Sequence, residues 1–166
     1  FHPEVRILIA GQAPGLRVHE TGKPFYDRSG DRLRDWMGLD SPTFYNQNLI
    51  ACIPAAFCFP GYDAKGSDLP PPRICAQTWQ QKVLAELGQV QLTLLLGAHA
   101  HRNHLGTSEG VTATVRNWRR HAPAIFTLPH PSWRNTGWLK KNPWFEGQVL
   151  PALQHQVQAV LTGNSR

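Results

Sequence analysis

Apolar residues in this chain gather into short unbroken runs, set apart by polar stretches rich in glycine and proline. Four runs stand out: VRILIA at 5–10, NLIACI at 48–53, LTLLL at 92–96 and AIFTL at 124–128. Runs of this length suit strands and are too short for helices. Their lack of alternation predicts strands covered on both faces. Each is closed by a turn residue: Gly11, Pro54, Gly97 and Pro129.

Between the runs the period changes. After a long loop over 11–28, Ser29 is the expected cap of a helix in GDRLRDWMG, where Leu33, Trp36 and Met37 share a face and Gly38 is the stop. The segment 54–72 reads as an irregular excursion. Pro72 then opens a predicted helix to Leu87, with Ile74, Trp79, Val83 and Leu87 on one side and Gly88 ending it. Helices are also predicted near 98–105, over a basic stretch at 111–120 and from about Pro143 to the end. In the last of these, Pro151 is expected to interrupt or kink the helix, with Val149, Leu150, Leu153, Val157 and Leu161 buried.

Strands alternating with helices predict an α/β fold: a three-layer α/β/α sandwich around a four-stranded parallel sheet, in one domain spanning 1–166. Ligands of such sheets bind beyond the carboxyl ends of the strands. Gln12, Pro54 and His130 follow strands one, two and four, so topology alone places them on one rim.

Composition adds less. Of 166 residues, 17 are Lys or Arg and 11 Asp or Glu, a net charge of +6 that suits a polyanionic partner without proving one. No apolar run approaches the roughly 18 residues of a membrane span, and nothing resembles a signal peptide, so a soluble cytoplasmic monomer is the default. Three cysteines (Cys52, Cys58 and Cys75) are an odd number and argue for buried thiols or metal ligands over a disulfide framework. The chain opens at Phe1 and reaches its first strand by Val5, so residues upstream are expected to be absent.

The turn GQAPG after the first strand, followed by GKPFYDRSGDRL, NLIAC, LTLLLGAHA and LPHPSWRN, resembles the uracil-DNA glycosylase superfamily. The likeness runs nearly the whole chain in the right order, and it is nearest to the bacterial and archaeal iron–sulfur branch, called family 4. The resemblance implies a hydrolase of base excision repair that flips a deaminated base out of DNA and cleaves its glycosidic bond.

Several roles are carried over with it. His130 would hydrogen-bond the departing base, with Gln12 as its catalytic partner in the turn and Gly11 and Ala13 lining the base. Phe25 matches the aromatic stacked on that base, although it also reads as a core residue under a long loop. Asn48 matches the amide that reads the base edge, with a plain turn before the strand as the other reading and Asn46 close by. Ser132, Trp133, Arg134 and Asn135 fall where the family inserts side chains into the minor groove, with Lys140 and Lys141 extending a basic stripe. In the iron–sulfur branch, Cys58 and Cys75 have the spacing of one ligand pair for a 4Fe–4S cluster, with Cys52 as the alternate and two further ligands expected upstream of Phe1.

Two local readings run against simple expectations. Histidines 99, 101 and 104 are spaced poorly for a zinc site. The turn offers Gln12 where hydrolytic relatives often carry a carboxylate, and an amide cannot act as a general base. Glu20 and Asp27 are the candidate substitutes. A damage-binding protein of the same fold that has lost hydrolysis is the alternative.

Overall fold

A computed structural model describes residues 2–163. Four strands, β1 (Ile7–Gly11), β2 (Ile50–Pro54), β3 (Leu92–Leu96) and β4 (Ile125–Leu128), form one all-parallel sheet in the order β2-β1-β3-β4. The expected α/β class with helices on both faces is what the chain adopts. Ile7, Ile9, Leu94 and Leu96 join Leu33, Trp36, Phe145 and Val157 in the main core. On the opposite face Leu8, Ala51 and Ile53 pack with Leu87, and Ala10 and Leu95 pack with Ala100.

The helices are α1 (Leu16–Thr21), α2 (Arg28–Met37), α3 (Ser41–Phe44), α4 (Arg73–Cys75), α5 (Gln81–Ala85), α6 (Gly97–Leu105), α7 (Val111–Arg116), α8 (Thr136–Lys141) and α9 (Leu150–Thr162). Three depart from the sequence pattern by being present at all. Neither α1 nor α8 buries a residue, and α3 buries only Phe44, so none carries a recognisable apolar stripe.

Other differences have identifiable causes. The cap of α2 is Asp27, whose carboxylate accepts the Gly30 N–H at 2.9 Å, and Ser29 lies inside the first turn. Between α4 and α5 the chain makes a π-helical turn, Ala76–Gln80. This wider turn shifts the phase of the apolar face. Ile74 and Trp79 are exposed, while Leu87 is buried. A second π-helical turn, Phe145–Val149, runs into α9 without a break in helical backbone, so the expected interruption at Pro151 takes the form of a wider turn directly before it. Leu150 and Leu161 are half-buried, while Val149, Leu153 and Val157 are fully buried.

Among the described residues, no helix is long and apolar enough to cross a membrane.

Candidate active site

Register fixes the rim. Leu128 pairs with Leu96, Leu95 with Ala10 and Ala10 with Ile53, so the carboxyl ends of all four strands lie level. Gln12, Ala55, Gly97 and His130 therefore emerge on one side of the sheet.

His130 is held from several directions. A Cβ built on Gly97, whose φ is +78°, would lie 3.5 Å from the Cβ of His130, so the histidine rests against the end of β3. The Ser132 N–H donates to His130 Nδ1 at 3.2 Å. Nδ1 must then be unprotonated, which puts the ring proton of a neutral imidazole on Nε2. Burial pulls the His130 pKa below its ordinary range, and the Asp27 and Asp68 carboxylates pull weakly the other way. Above the ordinary 6.5 the ring is then an uncharged donor through Nε2.

The following loop is clamped to α2. Arg32 donates to the Ser132 carbonyl at 2.9 Å and to Thr136 Oγ1 at 3.1 Å. Asn135, expected on DNA, turns inward and donates its amide to the His130 carbonyl at 2.7 Å. The Ser132 hydroxyl accepts the Arg134 N–H at 3.2 Å, capping the short turn Trp133–Asn135. Trp133 is 65% exposed, and Arg134 is exposed beside it. Arg32 went unnoticed in the sequence because its partners lie a hundred positions away and nothing local marks it.

In the first turn, the Gly11 and Gln12 carbonyls accept from Ala55 and Ala56 at 3.1 and 3.0 Å, tying the turn to the end of β2. Gln12 and Ala13 are half-buried, and the Gln12 side-chain amide has no hydrogen-bond partner among the described residues. A Cβ on Gly11 or Gly15 would meet nothing within 4 Å.

Phe25 is half-buried and edge-on to Phe44, with ring centres 6.4 Å apart. Its φ of +54° is the only positive value at a described non-glycine residue, a conformation that costs about 1–2 kcal/mol. The Tyr45 hydroxyl donates to the Phe25 carbonyl at 3.1 Å, and Arg34 reaches both Phe25 O and Tyr45 Oη. The backbone of Gly30 lies so close beneath that any Cβ there would run into the Phe25 carbonyl. Strain of this kind persists only where the surrounding contacts over-determine it, and Phe25 also packs against the main core.

The structure does not bring Asn48 to this rim. It precedes β2 in an exposed turn, its N–H donating to Asn46 Oδ1 at 3.0 Å, while the next residue, Leu49, pairs with Arg6 and Ile7 at the amino end of β1. At about 3.3 Å per residue, the six positions from Asn48 to Pro54 span ~20 Å. Parallel pairing thus puts this amide at the opposite end of the sheet.

A recess of about 440 Å³ opens beside His130 toward the β4 edge. Its walls include the first residues of α6 (Gly97 and Ala98), Val111 and Thr112 of α7, and Trp138, whose indole N–H donates to Thr112 Oγ1 at 2.8 Å. Gln12 and Phe25 lie outside it. Backbone N–H groups at the first turn of α6 give this wall a positive potential suited to a phosphate.

All three cysteines are free thiols. Burial pushes Cys52 up to about 12, an inert thiol packed against the main core. Cys58 is exposed and Cys75 half-buried. Among the described residues no three His, Cys, Asp or Glu side chains converge. The three histidines of α6 have separate partners: Arg102 for His99 at 3.4 Å, the Leu95 carbonyl for His101 at 3.1 Å and Gln80 for His104 at 3.1 Å. Of the candidate carboxylates, Glu20 is exposed on α1, and Asp27 is half-buried near His130.

A parallel sheet with an imidazole and a bare backbone turn on its carboxyl rim is the arrangement in which α/β folds seat a ligand above the strand ends. A family model described as the uracil DNA glycosylase superfamily matches residues 1–154, and the chain belongs to that superfamily.

Proposed function

We propose that the protein is a DNA glycosylase that extrudes uracil or another deaminated base and hydrolyses its glycosidic bond. The observation that carries this reading is the neutral His130, half-buried at the rim with its proton on Nε2. When the C1′–N1 bond breaks, its electron pair leaves with the base, and negative charge grows on a carbonyl oxygen. A fixed N–H donor aimed at that oxygen stabilises the departing anion more than the intact nucleotide. Water adds to C1′ and gives up a proton, leaving an abasic sugar and the free base.

The remaining roles follow from placement. Phe25 stacks on the extruded base. Gln12, with an unpaired amide at the rim, can donate to one edge atom and accept from another, the task that Asn48 is too distant to perform. Asp27, whose charge acts on His130, is the carboxylate we assign to orienting water. Trp133 and Arg134 meet the duplex, and the first turn of α6 meets a backbone phosphate.

The test is incubation of excess protein with uracil-containing single- and double-stranded oligonucleotides, followed by alkali. Strand scission at the uracil is expected. Salt-sensitive binding without scission would favour the damage-binding alternative, which Gln12 in place of a carboxylate supports.

A further inference from the structure

One buried polar group has no place in the chemistry above. His101, on α6, is 1% exposed. Its Nε2 donates to the carbonyl of Leu95 at 3.1 Å, and its Nδ1 is buried with no hydrogen-bond partner among the described residues. The influences on its proton are burial, which lowers its pKa, and the carbonyls of Leu95 and Leu128, which oppose it, with no charged side chain among them. Leu95 is the penultimate residue of β3, and Leu128 is the last of β4, two positions before His130.

The ring is therefore wedged between the carboxyl ends of the two strands on which His130 rests. A buried acceptor left unpaired is rare in folded proteins, and where one persists it signals a constraint that apolar packing would not satisfy. Leucine or methionine could fill the volume without leaving a bare nitrogen. A ring of fixed orientation can instead set the spacing of two carbonyl-bearing strand ends.

We propose that His101 is a positioning residue for His130, an imidazole wedge that fixes the separation of the β3 and β4 ends and through it the aim of the His130 Nε2–H. Only the excision arm of the test rests on the glycosylase reading. The full chain is labelled with ¹⁵N-histidine and prepared as parent, His101→Leu and His101→Gln. The titration of His130 is followed by NMR, and single-turnover excision is measured on uracil-containing DNA.

In His101→Leu the His130 midpoint is expected to move by about half a pH unit. Excision at saturating enzyme is expected to fall about tenfold, with affinity for DNA unchanged. His101→Gln, which retains a donor for the Leu95 carbonyl, should recover most of both. A folded His101→Leu variant whose His130 titration coincides with the parent's overturns the proposal. Should leucine prevent folding, the parent decides alone. The ring-nitrogen shifts of His101 must then move at the midpoint of His130, and shifts that stay flat through that step overturn the proposal. A parent that excises nothing counts against the glycosylase reading and leaves the NMR result standing.

Discussion

The Ser132 backbone N–H donates to His130 Nδ1, and this one contact at 3.2 Å decides which nitrogen of the ring can face a substrate. It also makes the histidine's role testable apart from its packing. Replacing His130 with alanine is expected to lower single-turnover excision about a hundred- to a thousandfold, ~3–4 kcal/mol of lost transition-state stabilisation, with DNA binding retained. Band-shift titration beside the excision assay separates the two effects, and equal rates in variant and parent would remove His130 from the mechanism.

Acid acts on the same contact. Protonating His130 places a hydrogen on Nδ1 opposite the Ser132 N–H, so two donors face each other and the loop must shift. Burial holds the titration of His130 below the ordinary 6.5, so activity should fall on an acid limb lying below that value. Stability moves the same way. His99, His101, His104 and His130 are all lowered by burial, so between their folded values and 6.5 the unfolded chain binds more protons. Their contribution is complete above 6.5 and is lost as pH falls toward the folded values. Melting temperatures measured from pH 8 to pH 5 should decline below about 6.5.

Asp27 both caps α2 and faces His130 electrostatically. Asparagine caps a helix about as well, so Asp27→Asn should change stability by less than ~0.5 kcal/mol. Removing the charge should lower the His130 titration midpoint further. If Asp27 orients water, the excision rate should also drop by about tenfold or more. Asp68→Asn should move the same midpoint in the same direction, because its carboxylate also favours the protonated ring.

Gly30→Ala tests the strained loop. The added methyl meets the Phe25 carbonyl head-on, so either the helix start or the loop must give way, at a cost of about 3 kcal/mol or more. Calorimetry should show a large drop in melting temperature. A variant with parental stability and parental excision would mean that the Phe25 conformation is dispensable.

Trp133 offers the opposite case. With 65% of its surface exposed, Trp133→Ala should leave stability within ~0.5 kcal/mol. Excision from duplex DNA should suffer more than excision from single strands, because a wedge matters only where a stack must be opened. Equal losses on both substrates would argue for a simple contact instead.

The frame of this fold was legible because buried parallel strands leave unbroken apolar runs, and all four lie where those runs fall. The rim was legible for the same reason: once Gly11 and Pro129 close strands of a parallel sheet, Gln12 and His130 must emerge together. Features that depend on register or phase were not. Asn48 carries the right side chain, but its distance from the site depends on which residues of β2 pair with β1. Ile74 and Trp79 lie five positions apart, about 140° around an α-helix, and both face solvent. Asn135 reads as a surface polar residue and serves as an internal brace, which only its 2.7 Å bond to the His130 carbonyl reveals.

Gly97 has one more implication. Its left-handed backbone turns β3 into α6 directly beside His130, whose loop Arg32 braces from α2. The histidine thus acts as an anvil with the stiffness of the sheet. In the reaction proposed above, the base is brought to a donor that is already in place.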